Sequence, residues 1–304
     1  MILELEAVEP FSLARLVEGH GWHALEPFHW DAEAGVLRHA LSTPTGAALV
    51  WRSSQPGGPT RLRVEVDATA KLDPQWLKHT LRHTHRLDER IAEFHGICEQ
   101  HSGLHRALQH RDGRLLRSPS VFEDVVKTLC TLCTTWARTR SMVRNLCSRY
   151  GVSAGVDGIR TFPTPEALAV AGVEGLRDAG LGYRARYVHS AAMAAADGAL
   201  EEWKASTLPT RQLREQVQAL AGMGPYATAN LLMLLGRYDQ IALDSWVRKV
   251  VREGWFAGEE VSDREILAAF EPFGEWKALV YWFWDWDRDP QPDAQPRGGG
   301  HPTI

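Results

Sequence analysis

The segment 213–251 constrains the fold more than any other part of this sequence. Apolar residues recur at i, i+4 and i+7 over 213–220, which predicts an amphipathic helix. Ala-Gly-Met-Gly-Pro follows at 221–225, and its glycines permit a tight turn with positive φ and bare amides. A second, almost wholly apolar helix is predicted over 226–235. Such a turn points helix N-terminal amides at an anion such as a DNA phosphate, although an ordinary helical hairpin without a ligand fits the same pattern.

Asp244 stands where the next helix begins, in Ile-Ala-Leu-Asp-Ser-Trp-Val. By position alone it is an N-cap, as most aspartates in this context are. The two roles of cap and functional carboxylate are compatible, because backbone amides and the helix dipole favour an ionised carboxylate in a partly buried place. A fixed anion of this kind can stabilise a developing cation.

The chain divides into a β-rich N-terminal part and a longer helical part. Residues 1–72 carry short apolar or alternating runs separated by Gly/Pro turns, which predicts an antiparallel sheet. Residues 73–288 carry helical periodicity and include the hairpin at 213–235. Residues 289–304 are rich in Pro and Gly and are predicted to be disordered. The predicted class is α+β, mostly helical with an N-terminal antiparallel sheet.

Composition excludes several other classes of protein. Hydrophobic residues make up 44% of the 304 residues, which is too much for a disordered chain, and no apolar run has the roughly 20 residues of a membrane span. The four cysteines are too few for a disulfide framework, so we expect a soluble protein of the reducing cytoplasm, acting without a membrane.

Charge is unevenly distributed along the chain. The net charge is −4, yet residues 125–156 contain no Asp or Glu and five cations. A solvated helix face and a DNA-binding face both fit this run. The five cations are Lys127, Arg138, Arg140, Arg144 and Arg149.

Tryptophans and histidines are also clustered. Six of the 12 tryptophans lie between Trp246 and Trp286, and they fit either a large aromatic core or an aromatic pocket. His79 and His83 are spaced i, i+4 with His85 close by, a spacing that can bind a metal on a helix. No Glu or Cys completes a recognisable zinc pattern, so we predict surface histidines.

The hairpin and the aspartate together resemble a known family. Leu-Ala-Gly-Met-Gly-Pro-Tyr-Ala-Thr-Ala-Asn, then 13 residues, then Asp244 is similar to the helix-hairpin-helix/Gly-Pro-Asp (HhH-GPD) superfamily of DNA glycosylases. Within it, the chain resembles 3-methyladenine DNA glycosylase II and 8-oxoguanine DNA glycosylase. The resemblance runs from about residue 20 to residue 288 and implies a mostly α-helical glycosylase fold behind an N-terminal sheet.

The resemblance implies a role for each matching residue of the catalytic segment. Asp244 matches the catalytic aspartate, and Gly222, Met223 and Gly224 match the turn that binds the DNA backbone. Some members carry a lysine that attacks C1′ and permits strand cleavage. Tyr226 occupies that position here, so the resemblance implies hydrolysis by water without AP lyase activity.

Two further segments resemble the elements that penetrate the DNA helix. In Leu-Gly-Tyr-Arg-Ala-Arg-Tyr at 181–187, the resemblance makes Tyr183 a wedge at the flipped nucleotide and Arg184 a contact to the orphaned base. A structural turn with a packed tyrosine is the alternative. In 129–138, Cys133 takes the gap-filling position and Arg138 a DNA contact, although relatives often carry Gln, Asn or Leu there.

The resemblance also implies a base pocket and a cation site. Aromatic rings stack well on a cationic purine, and the matching pocket positions are Tyr226, Asn230, Trp282, Phe283 and Trp284. The backbone carbonyls of Gln218, Leu220 and Met223 match a Na⁺ or K⁺ site at the hairpin. The chain has no cysteine after Cys147, so we expect no iron–sulfur cluster and no other cofactor.

The predicted function is that of a monofunctional DNA N-glycosylase of base excision repair, acting as a monomer on double-stranded DNA that contains alkylated purines. Two alternatives remain open at this point. One is an oxidised-purine glycosylase of the 8-oxoguanine type, which residues 181–187 favour. The other is a noncatalytic protein that binds damaged DNA through the same hairpin and wedge.

Overall fold

The structure is a computed structural model, and it describes residues 1–68, 72–155, 158–196 and 198–286. An antiparallel sheet of five strands forms the N-terminal part, in the order β1-β5-β4-β3-β2. A short helix, α1 (Leu13–Glu18), follows the first strand. The strands are β1 (Ile2–Glu6), β2 (Phe28–Asp31), β3 (Val36–Ser42), β4 (Ala48–Ser54) and β5 (Arg61–Ala68).

Strand β5 shows why this region forms a sheet. Its alternating sequence places Leu62, Val64 and Val66 in the core and the intervening side chains toward solvent. Val66 pairs with Trp51 of β4, which is fully buried. The predicted antiparallel sheet is confirmed, and its inner face packs on the helical part of the chain.

Twelve further helices follow the sheet in the described residues. They begin at predicted caps in several places: Asp73 accepts a hydrogen bond from the amide of Gln75 at 2.9 Å, and Pro74 opens the helix. The helices are α2 (Pro74–Thr84), α3 (Ala92–Gln100), α4 (His105–His110), α5 (Val121–Cys130), α6 (Trp136–Tyr150), α7 (Pro165–Leu176), α8 (Ala185–Ala195), α9 (Thr210–Gln218), α10 (Pro225–Leu234), α11 (Ser245–Trp255), α12 (Asp263–Phe270) and α13 (Lys277–Phe283).

The helical segment at 121–150 is two helices, α5 and α6. Cys133 lies between them with φ +44°, in the left-handed region that interrupts a helix. The side chain of Thr135 then accepts a hydrogen bond from the amide of Arg138 at 3.3 Å and begins α6. The chain therefore turns sharply at residues 131–135, which we call the α5–α6 loop.

Two hydrophobic clusters hold the described residues together. One joins the sheet to helices α5–α10, and the other packs α3 and α4 against α11, α12 and α13. Helix α10 contributes to both, with Leu231 in the first and Met233 in the second. The hairpin helix therefore lies between the two parts of the core. The division at 72/73 stays a prediction, and the tail at 289–304 lies outside the described residues.

Three sequence expectations about polar residues are wrong. Lys127 is fully buried, where its ammonium lies 2.6 Å from the Glu123 carboxylate, so it is not part of a solvated or DNA-binding face. His83 and His85 are buried rather than on the surface. In each case the residue packs under the sheet or a neighbouring helix, which local periodicity does not reveal. No helix among the described residues has the length and apolar character needed to cross a membrane.

Candidate functional site

The predicted helical hairpin is confirmed as α9, a turn at residues 219–224, and α10. Gly222 has φ +89°, a conformation that favours glycine, and the amide of Met223 donates to the Leu220 carbonyl at 3.1 Å. Gly224 is the N-cap of α10 and supplies no side-chain cap. Pro225 opens α10 and has no amide N–H, so the first amides of the helix are those of Tyr226 and Ala227. They have no side-chain cap from Gly224, which suits an anion site. Phosphate binding by this turn stays a prediction.

The hairpin docks on α8 and α5 through Gly222. A β-carbon at this position would lie 2.7 Å from the ring of Tyr187 and 2.9 Å from Leu129. The missing side chain is therefore needed both for the backbone conformation and for the close approach of the two elements. Tyr187 also contacts Tyr183 edge to face, with ring centroids 6.0 Å apart. This places the turn next to the segment that carries the predicted wedge.

The three carbonyls predicted to hold a monovalent cation lie at the end of α9 and in the turn. The Leu220 carbonyl accepts from the amide of Met223, and the Met223 carbonyl accepts from the Thr228 hydroxyl at 3.1 Å. A carbonyl oxygen has two lone pairs, so each of these two keeps one for a ligand. The donor set, which includes Gln218, fits a hard monovalent cation. Its occupancy by Na⁺ or K⁺ stays a prediction.

Asp244 is the N-cap of α11 and is 8% exposed. Its Oδ1 accepts a hydrogen bond from the amide of Val247 at 2.7 Å, which fixes the carboxylate at the start of the helix. Its Oδ2 is buried and accepts no hydrogen bond from any residue that the structure describes. One oxygen therefore anchors the side chain, and the other remains for a substrate, a water molecule or a developing positive charge.

The charge of Asp244 raises the pKa of two nearby tyrosines, Tyr226 and Tyr281. Burial and then the negative charge of Asp244 raise the pKa of Tyr226 to about 12. Burial and the same charge raise the pKa of Tyr281 well above its usual value, with Tyr226 contributing. The Tyr281 hydroxyl is buried and makes no hydrogen bond within the described ranges. The site thus combines one carboxylate with two neutral phenols from α10 and α13.

Asn230 lies one turn after Tyr226 on α10. Its side-chain amide donates to the Tyr226 carbonyl at 3.1 Å, which leaves the side-chain oxygen as an acceptor. Trp246, two residues after Asp244, contacts the Tyr281 ring edge to face with centroids 6.1 Å apart. The predicted pocket positions Tyr226 and Asn230 therefore lie on the same helix, while Tyr281 and Trp246 extend the aromatic group beyond the predicted set.

The three predicted pocket aromatics at 282–284, at the end of α13, point in different directions. Trp282 contacts the Tyr281 ring, and its indole N–H donates to the Gly19 carbonyl at 2.8 Å. Phe283 packs against Phe94 of α3, because it lies about 200° around the helix from Tyr281. The structure brings Phe283 into the core beside α3 rather than to the Asp244 carboxylate.

Trp284 also packs away from the predicted position. Its ring lies edge to face on Trp255 with centroids 4.8 Å apart, and a β-carbon on Gly103 would lie 2.3 Å from it. It forms part of the core between α11 and α13. Tyr281 was the missed residue, and the interaction of its phenol with Asp244 could not be recognised from a run of consecutive aromatic residues.

The two predicted DNA-penetrating segments meet in the structure. Tyr183 is 47% exposed, and its hydroxyl donates to the Leu132 carbonyl at 3.3 Å. Cys133, in the α5–α6 loop, is exposed beside it. Arg184 is 6% exposed and donates to the carbonyls of Leu132 and Cys133, at 3.0 Å and 3.1 Å. Its predicted contact with an orphaned base is not made by the guanidinium as it lies here.

Two exposed arginines lie next to this loop. Arg138 lies at the start of α6 and donates to the Gly180 carbonyl at 3.4 Å, next to the wedge segment. Arg186 is exposed on α8, where its guanidinium lies over the Tyr187 ring. The other exposed arginines of the basic run at 125–156 do not share one face with Arg138. Arg140 and Arg144 lie on the opposite side of α6, and Arg149 lies in its last turn.

Comparison with known proteins agrees with this geometry. The family model described as "HhH-GPD superfamily base excision DNA repair protein" matches residues 126–275, which include the α5–α6 loop, the wedge segment, the hairpin and Asp244. The chain belongs to the HhH-GPD superfamily of base excision DNA repair proteins. The suspected membership is confirmed.

Two curated relatives are glycosylases with lyase activity by name. The N-glycosylase/DNA lyase OGG1 of Arabidopsis thaliana is 33% identical over 149 residues, or 46% of this chain. The chain spans only 40% of the length of that plant relative. A probable N-glycosylase/DNA lyase of Methanothermobacter thermautotrophicus is 24% identical over 276 residues, with 83% of this chain and 86% of that protein covered.

Solved structures of two substrate types share the fold. The 3-methyladenine DNA-glycosylase from Archaeoglobus fulgidus superimposes with a TM-score of 0.76 at 24% identity, covering 94% of this chain and 98% of that one. The 8-oxoguanine glycosylase/lyase of Clostridium acetobutylicum gives 0.72 at 18% identity, covering 94% and 98%. The TM-scores establish a shared fold, whereas identities this low do not assign a substrate to this chain.

Proposed function

We propose that this protein is a monofunctional DNA N-glycosylase that releases alkylated purines by hydrolysis. The observation that carries the proposal is the geometry of Asp244. One carboxylate oxygen is fixed by the amide of Val247, and the other is buried without a partner in the described residues, beside two neutral tyrosines. A hairpin suited to DNA phosphates leads into the same segment.

The proposed reaction needs only one carboxylate. As the N-glycosidic bond of the flipped nucleotide breaks, the purine leaves with the bonding electron pair and the deoxyribose gains oxocarbenium character. The Asp244 carboxylate stabilises this charge in a partly buried place, where electrostatic effects are strong. Water then adds its oxygen to C1′ while its proton passes to Asp244 and on to solvent. The products are a free base and an abasic site.

Tyr226 supports hydrolysis without strand cleavage. A lyase of this class needs an amine that attacks C1′ and forms a Schiff base. Tyr226 occupies the position that matches this lysine, and its phenol, with a pKa of about 12, stays neutral at physiological pH. Lys249 is exposed on the outer side of α11. We therefore propose no lyase activity for this chain, although both curated relatives are named as lyases.

The aromatic surroundings of Asp244 favour an alkylated purine. Alkylation at N3 or N7 leaves the purine positively charged, and such a base is attracted to electron-rich rings as well as to a nearby carboxylate. Tyr226, Tyr281 and Trp246 supply rings close to Asp244. A cationic base is also a good leaving group, so the site needs no strong general acid.

The test is base release from defined duplexes. We expect the wild-type protein to release 3-methyladenine and 7-methylguanine from methylated duplex DNA and to leave abasic sites that break only on heating in alkali. Asp244→Asn keeps an N-cap oxygen for Val247 but removes the charge, and we expect it to lower the single-turnover rate constant about 100-fold or more. Asp263→Asn, which changes an exposed carboxylate paired with Arg248, is the matched control and should retain activity. Unchanged release by Asp244→Asn would refute the mechanism.

A second candidate function is release of an oxidised purine. The wedge segment at 181–187 favours it, as do the names of the plant relative and of the Clostridium structure. The same oligonucleotide panel with 8-oxoguanine opposite cytosine separates the two, because exclusive release of 8-oxoguanine would replace the alkylated-purine proposal. Tight binding to damaged DNA with no release of any base would support a noncatalytic DNA-binding protein instead.

The proposed partner is double-stranded DNA with a damaged base, bound by one copy of the chain. The hairpin, the wedge and Asp244 all belong to a single polypeptide, so the proposed site needs no second copy to complete it. We propose that the protein acts as a monomer in the cytoplasm, where bacterial-type DNA is accessible. Sedimentation of the protein with and without a duplex carrying an abasic site would test the stoichiometry.

A further inference from the structure

Arg184 lies behind the exposed wedge instead of on the DNA-facing surface. Its Nε donates to the Leu132 carbonyl at 3.0 Å, and its Nη2 donates to the same carbonyl and to that of Cys133 at 3.1 Å. We propose that Arg184 is a positioning residue that fastens the α5–α6 loop to the Tyr183 turn, so that both loops enter DNA as one rigid unit. The inference rests on the proposed glycosylase function and assigns Arg184 a task other than reading the orphaned base.

The carbonyls that Arg184 binds lie where a positively charged hydrogen-bond donor is favourable. Leu132 and Cys133 lie just beyond the C-terminus of α5, where unsatisfied carbonyls and the helix dipole favour a positive charge. Backbone support weakens along the loop, because the amide of Thr131 donates to the Thr128 carbonyl at 3.0 Å but that of Leu132 reaches the Leu129 carbonyl only at 3.4 Å. The fork of a guanidinium serves both carbonyls at once, which an ammonium on a flexible stem does less well.

The α5–α6 loop is shaped in a way that needs an external tether. Cys133 has φ +44°, a left-handed conformation that is unfavourable for a residue with a β-carbon. Such a conformation persists only where the surroundings hold it. Arg184 binds the carbonyls of Leu132 and Cys133, one on each side of the Cys133 α-carbon, and so supplies that restraint. The exposed Cys133 side chain is thereby held in a fixed direction.

The same guanidinium supports the wedge from behind. It lies over the Tyr183 ring, 4.5 Å from the centroid, while the Tyr183 hydroxyl donates to the Leu132 carbonyl. Tyr183 and the α5–α6 loop are therefore joined both directly and through Arg184. To reach an orphaned base, the guanidinium would have to leave both carbonyls and the ring. Within the described residues only the Tyr183 hydroxyl would then still donate to the Leu132 carbonyl.

The decisive experiment varies the base opposite the lesion. Single-turnover base release is measured for wild type, Arg184→Gln and Arg184→Lys on duplexes that carry each of the four bases opposite the same alkylated purine. Arg184→Gln should slow release about 10- to 100-fold by misplacing both loops, and by the same factor opposite all four bases. The loss should shrink to about threefold or less on a single-stranded substrate, which needs no wedge. Arg184→Lys should fall between wild type and Arg184→Gln.

Matched controls and a second readout keep the inference distinct from the proposed function. Arg186→Gln removes the neighbouring exposed guanidinium, which stacks on Tyr187, and should weaken DNA binding only in a salt-dependent way. Amide hydrogen exchange on the free, full-length protein should rise in residues 131–135 and 183 for Arg184→Gln and should stay unchanged in the hairpin. This measurement tests the tether even if wild type releases no base, an outcome that would refute the proposed function alone.

Either of two results would overturn the role of Arg184. One is a loss of activity concentrated opposite a single base, because a residue that reads the orphaned base produces that pattern. The other is unchanged hydrogen exchange in residues 131–135 for Arg184→Gln. Since Arg184→Lys retains the charge and most of the side chain, it provides the test if Arg184→Gln does not fold.

Discussion

Gly222 packs directly against the ring of Tyr187, so closely that a β-carbon on the glycine would be 2.7 Å from that ring. Through this contact the hairpin rests on the helix that follows the wedge segment, and Tyr187 in turn contacts Tyr183. The α5–α6 loop joins the same group through Arg184. The three elements predicted to contact DNA are therefore one connected structure rather than separate loops.

Gly222→Ala should destabilise the protein through this contact. The new β-carbon would clash with Tyr187 and Leu129, and the backbone at φ +89° is unfavourable for alanine. Together these effects should lower the free energy of unfolding by about 1–3 kcal/mol. Urea unfolding followed by circular dichroism measures the change. Gly224→Ala is the control, because its β-carbon would meet no atom within 4 Å, and an equal loss of stability there would count against the explanation.

Asp244 allows its two roles to be separated. Alanine removes the acceptor for the Val247 amide and should cost about 1 kcal/mol of stability, whereas asparagine keeps an N-cap oxygen and should cost a few tenths at most. Both substitutions remove the charge and should lower the rate constant of base release about 100-fold or more. Thermal unfolding and single-turnover assays on the same preparations test this. Equal stability of Asp244→Ala and wild type would show that the cap contributes nothing.

Local patterns in the sequence predicted the parts of the fold that depend on neighbouring residues. The hairpin, the cap at Asp244 and the alternating strand β5 all follow from residues within one or two turns of each other. The burial of Lys127 did not follow, although its partner Glu123 lies only four residues earlier on α5. The ring of Phe28 covers its ammonium only when the sheet packs on this helix. In the sequence, nothing distinguishes the buried Lys127 from the exposed arginines that follow it.

The aromatic C-terminal segment shows the same limit at the candidate site. Six consecutive aromatic or apolar positions, 278–283, point to every side of one short helix, so spacing cannot say which ring reaches Asp244. The answer depends on how α13 packs against α3, which buries Phe283 against Phe94 and leaves Tyr281 near the carboxylate. Arg184 is a similar case, since its partners lie 52 residues away in the chain.

Tyr281→Phe should separate function from stability. The Tyr281 hydroxyl is buried without a partner in the described residues, so its removal should leave stability unchanged or raise it by up to about 1 kcal/mol. We expect this hydroxyl to orient the base or the water near Asp244, so base release should fall about tenfold. Tyr238→Phe is the contrast, because that hydroxyl bonds to Arg86 and Glu89, and its loss should destabilise. Full activity of Tyr281→Phe would remove its hydroxyl from the mechanism.

Lys127→Met should be one of the most destabilising substitutions in the molecule. Burial raises the pKa of Glu123, but the charge of Lys127 and the contact with His39 outweigh it and lower that pKa to about 2. Removing Lys127 leaves a buried carboxylate with a weak partner, at a cost of about 3–5 kcal/mol. Adding Glu123→Gln removes the unpaired charge and should restore part of the stability. A double substitution less stable than Lys127→Met, in urea unfolding, would contradict this account.

Stability should fall as the pH drops from about 6.5 toward 4, and His85 should cause much of the loss. Burial lowers the pKa of His85 to about 4, although its hydrogen bond to the Leu81 carbonyl opposes the shift. Between these two pH values the unfolded chain binds a proton that the folded protein excludes, so folding loses on the order of 3 kcal/mol across that window. Burial shifts His39 in the same direction. His85→Gln should flatten the pH dependence of urea unfolding, whereas exposed His79→Gln should not, and an unaltered slope in His85→Gln would assign the effect to other groups.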